Sequence, residues 1–124
     1  MEHETRSTQT VMRALELLST RWSLTAAEMS ALLGLGDSSE RQALHVVPLR
    51  ELPPSFIERA AALIKIYELI NTLLPVPGRA DAWIREPNNA PAFEGRSALQ
   101  VMIDSDIDGL RLVRDFLLAQ ANGN

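Results

Sequence analysis

Apolar side chains recur at every third or fourth position over most of this chain, the period of helices with one buried face. Val11, Met12, Ala14, Leu15 and Leu18 predict a helix over Thr8–Thr20, with the polar Met1–Arg6 frayed ahead of it. Trp22 falls in the break that follows. Thr25 and Glu28 form a capping-box pair, so a second helix starts there and Gly34 ends it. Asp37–Glu40 can cap a third short helix that runs to about His45. Val46–Pro54 is a connector with three prolines. Ser55 and Glu58 repeat the capping-box pattern and open a long helix over Phe56–Leu74, which Pro75 stops. Its apolar residues cover more than one stripe, which predicts burial from several sides.

Beyond it, Val76–Arg79 reads as a turn and Ala80–Glu86 as a short helix carrying Trp83 and ended by Pro87. A loop follows, poor in charge but holding Phe93. Ser97 with Gln100 is a further capping box, opening a helix over Ala98–Asp104. Asp106 then caps a last helix over Ile107–Ala121, with Ile107, Leu110, Val113, Leu117 and Ala121 on one face. No strand, repeat or low-complexity segment is visible. The expected fold is all-α. An N-terminal helix-turn-helix-like bundle (1–54) is followed by a long central helix (55–75) and a small C-terminal helical domain (76–124).

Composition narrows the function. Apolar residues make up 46% of the 124, enough for a core without staples, and there is no cysteine for a disulfide or thiolate site. No apolar run follows a basic start, and the richest apolar stretch is broken by Lys65 and Glu68, so a cytoplasmic setting without a membrane span is expected. The net charge of −4 is spread evenly over the two halves. Nucleic-acid binding would therefore need a local patch.

The segment Ala26–His45, helix, Gly-containing turn, helix, has the helix-turn-helix pattern. In DNA readers the early residues of the second helix touch bases, which here are Ser38, Ser39, Arg41 and Gln42. Glu40 among them and the scarcity of cations favour the alternative, a packing unit that no longer reads DNA. Asp104–Gly109 with Asp115 has the outline of a calcium loop, but the helical stripe running through it argues for a capped turn. His3 and His45 lack a metal-type neighbourhood. No nucleophile elbow and no Gly-rich phosphate loop occurs, so no catalytic, cofactor-binding or metal residue is assigned and no enzyme is expected. Trp83 and Phe93 read as core aromatics that shape the loop Asn88–Arg96, which can present its backbone and Arg96 to a partner. The last helix offers Arg111, Arg114 and Asp115, with Phe116 and Leu118 at the side, as either a solvated face or an interface.

Trp83, Pro87-Asn88, Phe93, Gly95-Arg96-Ser97 and Leu99, followed by Val113-Arg114-Asp115-Phe116-Leu117, resemble the toxin-binding domain of the Xre/MbcA/ParS antitoxins. The departures are Ala98, where that family usually has Pro, and Ser105-Asp106, where it usually has Gly. Pro at the first helical position is favoured but replaceable. The resemblance implies an Xre-like N-terminal region, a homodimer, possible operator repression, and a RES-domain, NAD-consuming toxin as partner. The toxin would be blocked by occlusion of its pocket. Trp83, Asn88, Phe93, Arg96, Arg111, Arg114 and Leu118 are then the expected toxin-binding residues, and no cofactor is implied. The competing reading is a helix-turn-helix transcriptional regulator without a toxin, whose C-terminal part serves only for dimerisation.

Overall fold

The computed structural model describes residues 2–36 and 43–123. Among the described residues six α-helices and two short 3₁₀ turns follow one another: α1 (Glu2–Arg21), α2 (Ala26–Leu33), the turns Leu44–Val46 and Leu49–Glu51, α3 (Pro54–Leu73), α4 (Pro77–Trp83), α5 (Ala98–Asp104) and α6 (Asp106–Ala121). No strand occurs among the described residues, only an isolated antiparallel bridge between Pro87 and Ser97. The fold is all-α, as expected. The chain divides into two compact units, Met1–Ala61 and Ala62–Asn124, with the division inside α3.

In the first unit α1 begins at Glu2, well ahead of the expected Thr8. No Gly or Pro stands in Glu2–Ser7 to break the helix. Thr8, Met12, Leu15 and Leu18 are its buried stripe. The Thr8 hydroxyl donates to the carbonyl oxygen of Val47 at 2.7 Å, a bond between residues 39 apart that joins α1 to the connector. α1 ends with Ser23 at φ +53, the Ser23 N–H on Thr20 and the Leu24 N–H on Ser19, the bonding pattern of a Schellman motif.

The capping box at α2 is complete. Thr25 Oγ1 accepts the Glu28 N–H at 3.0 Å, and Glu28 Oε1 accepts the Thr25 N–H at 2.9 Å. Gly34, at φ +70, closes α2 in the left-handed conformation. A β-carbon there would lie 2.9 Å from Arg59 Nε. Arg59 in turn donates to Leu32 O at 3.5 Å, bringing its cation to the negative end of α2. Residues 37–42 of the expected second helix, with Ser38, Ser39, Arg41 and Gln42, lie outside the described residues, and its expected end at His45 falls in the 3₁₀ turn Leu44–Val46.

α3 starts one residue before the expected cap. Pro54 is its first residue and Pro53 O takes the Ile57 N–H at 3.1 Å, so Ser55 falls inside the first turn. Proline's fixed φ favours that first position. Phe56, Ala60, Ala62, Leu63, Ile66, Leu69 and Ile70 are buried. At 100° per residue they span roughly half the circumference, wider than a single amphipathic stripe.

In the second unit α4 also starts early, at Pro77, with Val76 O accepting from Arg79 and Ala80. Here too the preset φ of proline outweighs the helix-weakening Gly78 next to it. α5 and α6 form a hairpin with Ser105 alone between them. Ser105, and not Asp106, is the N-cap residue of α6. Asp106 is the first helical residue, at φ +55, because a one-residue connection reverses the chain only by entering the left-handed region, which Asp tolerates better than most. This leaves no twelve-residue calcium loop. No group of three acidic or imidazole side chains placed to hold a metal occurs among the described residues. Gly109 is buried where α6 crosses α5, and a β-carbon on it would lie 2.3 Å from Val101 O.

Candidate functional site

The loop between α4 and α5 is held as a closed ring. The Asn88 N–H donates to Arg96 O at 3.1 Å and the Gly95 N–H donates to Asn88 O at 3.0 Å, next to the Pro87–Ser97 bridge. Asn88 Oδ1 also accepts the Ala90 N–H at 2.8 Å, an Asx turn that fixes how the chain leaves Asn88. At the far end Glu94 and Gly95 have φ of +54 and +83, and the Arg96 N–H closes the turn on Phe93 O at 3.0 Å. Two left-handed central residues are the mark of a type I′ turn. Outside the ring, the Leu99 N–H donates to Ile84 O at 2.9 Å and ties the start of α5 to the end of α4.

The predicted capping box at Ser97 is half formed. Ser97 Oγ accepts the Gln100 N–H at 3.1 Å, but Gln100 Nε2 turns forward to Asp104 Oδ1 at 2.6 Å. A bond to a carboxylate is stronger than one between neutral groups, which explains the direction taken.

Phe93 is completely buried and pins the loop inward. Its ring meets Phe116 of α6 at 4.9 Å between centroids and Trp83 at 6.2 Å, both nearly perpendicular. Such edge-to-face pairs add about 0.5–1.5 kcal/mol each beyond the area they bury. Any partner therefore meets the loop's backbone and rim, not the Phe93 ring. Trp83 and Phe116 are half-buried, and their outer sides face a groove of about 330 Å³. The end of α3 supplies Ile70, Leu73 and Leu74 to it; α6 supplies Phe116, Leu117 and Gln120; Trp83 and Asn88 complete it. No charged side chain lines it.

The structure separates the remaining candidate residues. Arg96 Nε donates to Phe93 O at 3.3 Å, and its guanidinium lies 3.5 Å from Asp104 Oδ2, with a third of the side chain exposed. It belongs to the loop. Arg111, Arg114 and Leu118, spaced i, i+3 and i+7, share one face of α6. Leu110, Val113 and Leu117 are the buried face, and Phe116 and Gln120 lie on its other flank. The cations of α6 and the groove are thus on opposite sides of the helix. Arg111 sits 3.2 Å from Asp108 and Arg114 3.1 Å from Asp115. Exposed pairs of this kind contribute at most about 1 kcal/mol, so a partner can recruit these guanidinium groups at little cost. The groove itself was not foreseen. Its sequence signal is Leu73-Leu74 at the end of a broadly apolar helix, with Phe116 and Gln120 one turn apart.

A family model described as the antitoxin Xre/MbcA/ParS C-terminal toxin-binding domain matches residues 72–123. The second half of the chain is thus similar to that toxin-binding domain. The match begins at the end of α3 and takes in the ring, the aromatic trio and both helices of the α5–α6 hairpin. An uncharacterized protein, y4oB, of Sinorhizobium fredii (strain NBRC 101917 / NGR234) is 36% identical over 72 residues, which is 58% of this chain and 54% of that protein. The chain thus spans about half the length of the curated relative it matches. No helix among the described residues is long and apolar enough to cross a membrane.

Proposed function

We propose that this protein is the antitoxin of a toxin–antitoxin pair and that it neutralises a RES-domain, NAD-consuming toxin by covering the mouth of its pocket. The observation that carries this reading is the match of the toxin-binding domain to residues 72–123, the segment that contains the closed ring and the aromatic trio. A plug that works by obstruction has to be rigid, because ordering a floppy loop on binding costs affinity. The ring around Asn88, the left-handed turn at Glu94-Gly95 and the Phe93 pin supply that rigidity. Arg96 on the ring and Arg111, Arg114 and Leu118 on α6 are the side chains proposed to touch the toxin, with Trp83, Asn88 and Phe93 shaping the surface. The antitoxin acts in the cytoplasm as a homodimer, a state that suits the broad apolar surface of α3. Where the N-terminal unit retains DNA binding, repression of the operon would run through Ser38, Ser39, Arg41 and Gln42.

The test is co-expression of this chain with the product of the adjacent reading frame. The expected result is that the neighbour alone stops growth and depletes NAD, and that this chain restores both. A neighbour that is harmless, or that stays toxic and unbound beside this chain, would rule the reading out.

A further inference from the structure

We propose that the uncharged groove between the end of α3, Trp83 and α6 is the anchoring site for the toxin, and that it receives an apolar, uncharged segment of that protein. This inference rests on the antitoxin reading above and adds to it a division of labour: the groove holds the toxin, while the ring and the α6 cations cover its pocket.

Every lining residue except Ile70 falls inside the matched toxin-binding domain. The groove therefore belongs to the part of the chain whose partner is a toxin. Its lining contains no titratable side chain, so a charged segment entering it would lose its hydration without gaining an opposite charge. Trp83 and Phe116 each make an edge-to-face contact with Phe93, which favours the orientations that leave the space open. Rigid, half-buried aromatics of this kind are the usual centres of binding energy in interfaces. A second copy of this chain is the poorer occupant. A two-fold contact sets the same patch against itself, and a groove facing a groove leaves a void. At about 330 Å³ the space is at the bottom of the size range of small-molecule pockets, which run from roughly 300 to 1,000 Å³. The cations of α6 lie on the opposite flank, so anchoring and covering can be separated by mutation.

The experiment titrates the purified RES-domain protein encoded beside this chain with full-length wild type, Leu74→Asp and Gln120→Glu. Arg79→Gln serves as an exposed control of equal charge change to Gln120→Glu. Gln120 is exposed on α6, so its variant should melt with the wild type even if Leu74→Asp does not fold. The groove predicts an affinity loss of at least about 30-fold for Leu74→Asp and about 10-fold for Gln120→Glu, with Arg79→Gln unchanged. If the wild type binds and a folded Gln120→Glu binds equally well, the groove assignment is wrong and the antitoxin reading stands. If the groove variants break up a dimer of this chain and leave toxin affinity intact, the occupant is a second copy and the proposal is overturned. If the wild type does not bind at all, the antitoxin reading fails and takes the groove with it.

Discussion

At Gly109 a β-carbon would lie 2.3 Å from the carbonyl oxygen of Val101, which is backbone and has no rotamer to escape into. Alanine is favoured over glycine in a helix by about 1 kcal/mol. Overpacking a tight contact costs about 1–3 kcal/mol or more, and at this distance it wins. We expect Gly109→Ala to lower unfolding free energy by about 2 kcal/mol in urea titration; an unchanged or higher midpoint would mean the two helices can part. Glu94 presents the opposite case. It is exposed at φ +54, a conformation that strains any residue with a β-carbon. Glu94→Gly should raise stability by about 0.5 kcal/mol, the strain relief being partly offset by the greater freedom of glycine in the unfolded chain. These two glycine questions were not legible beforehand, because each depends on a neighbour or a dihedral that only the folded backbone defines. Two of the three expected hydroxyl caps were legible, Ser55 being displaced by Pro54: Thr25 and Ser97 each sit at the N-cap with the expected backbone bond, since that bond spans three residues and needs no tertiary help.

At the level of secondary-structure elements, the ring between α4 and α5 depends on Asn88 more than on any other side chain. Asn88→Ala removes the acceptor for the Ala90 N–H, while Asn88→Asp keeps it. The Ala90 amide should exchange slowly with solvent in wild type and in Asn88→Asp, and about fivefold faster in Asn88→Ala, which corresponds to a bond of about 1 kcal/mol. Equal exchange in all three would show that backbone bonds alone hold the ring. The helices themselves were readable from apolar spacing, but their ends moved. α3 and α4 both begin at a proline, where the expectation put a cap at Ser55 and a turn over Val76–Arg79, and α1 runs to Glu2. Prolines were read as stops because they end helices from within. At the first position the same fixed φ starts them.

For the molecule entire, the proposed toxin anchor lies in the second unit, while the candidate operator-reading residues belong to the first stretch of the chain. Arg41→Ala should abolish operator binding in a gel-shift assay and leave toxin affinity unchanged, because Arg41 lies outside the matched domain. Loss of toxin affinity in that variant would contradict the assignment of the two roles to separate parts of the chain. The all-α class, the central helix and the surroundings of Trp83 and Phe93 were accessible from the order of residues alone. Helical periodicity, hydroxyl caps and aromatic punctuation are local signals, written within a few positions of one another. The groove was not accessible in this way. Leu73 and Leu74, Trp83, and Phe116 with Gln120 are separated by tens of residues, and nothing in their spacing states that they face one space. The split of the candidate cations between ring and helix flank was hidden for the same reason: a list of residues has no directions until packing turns each helix about its axis.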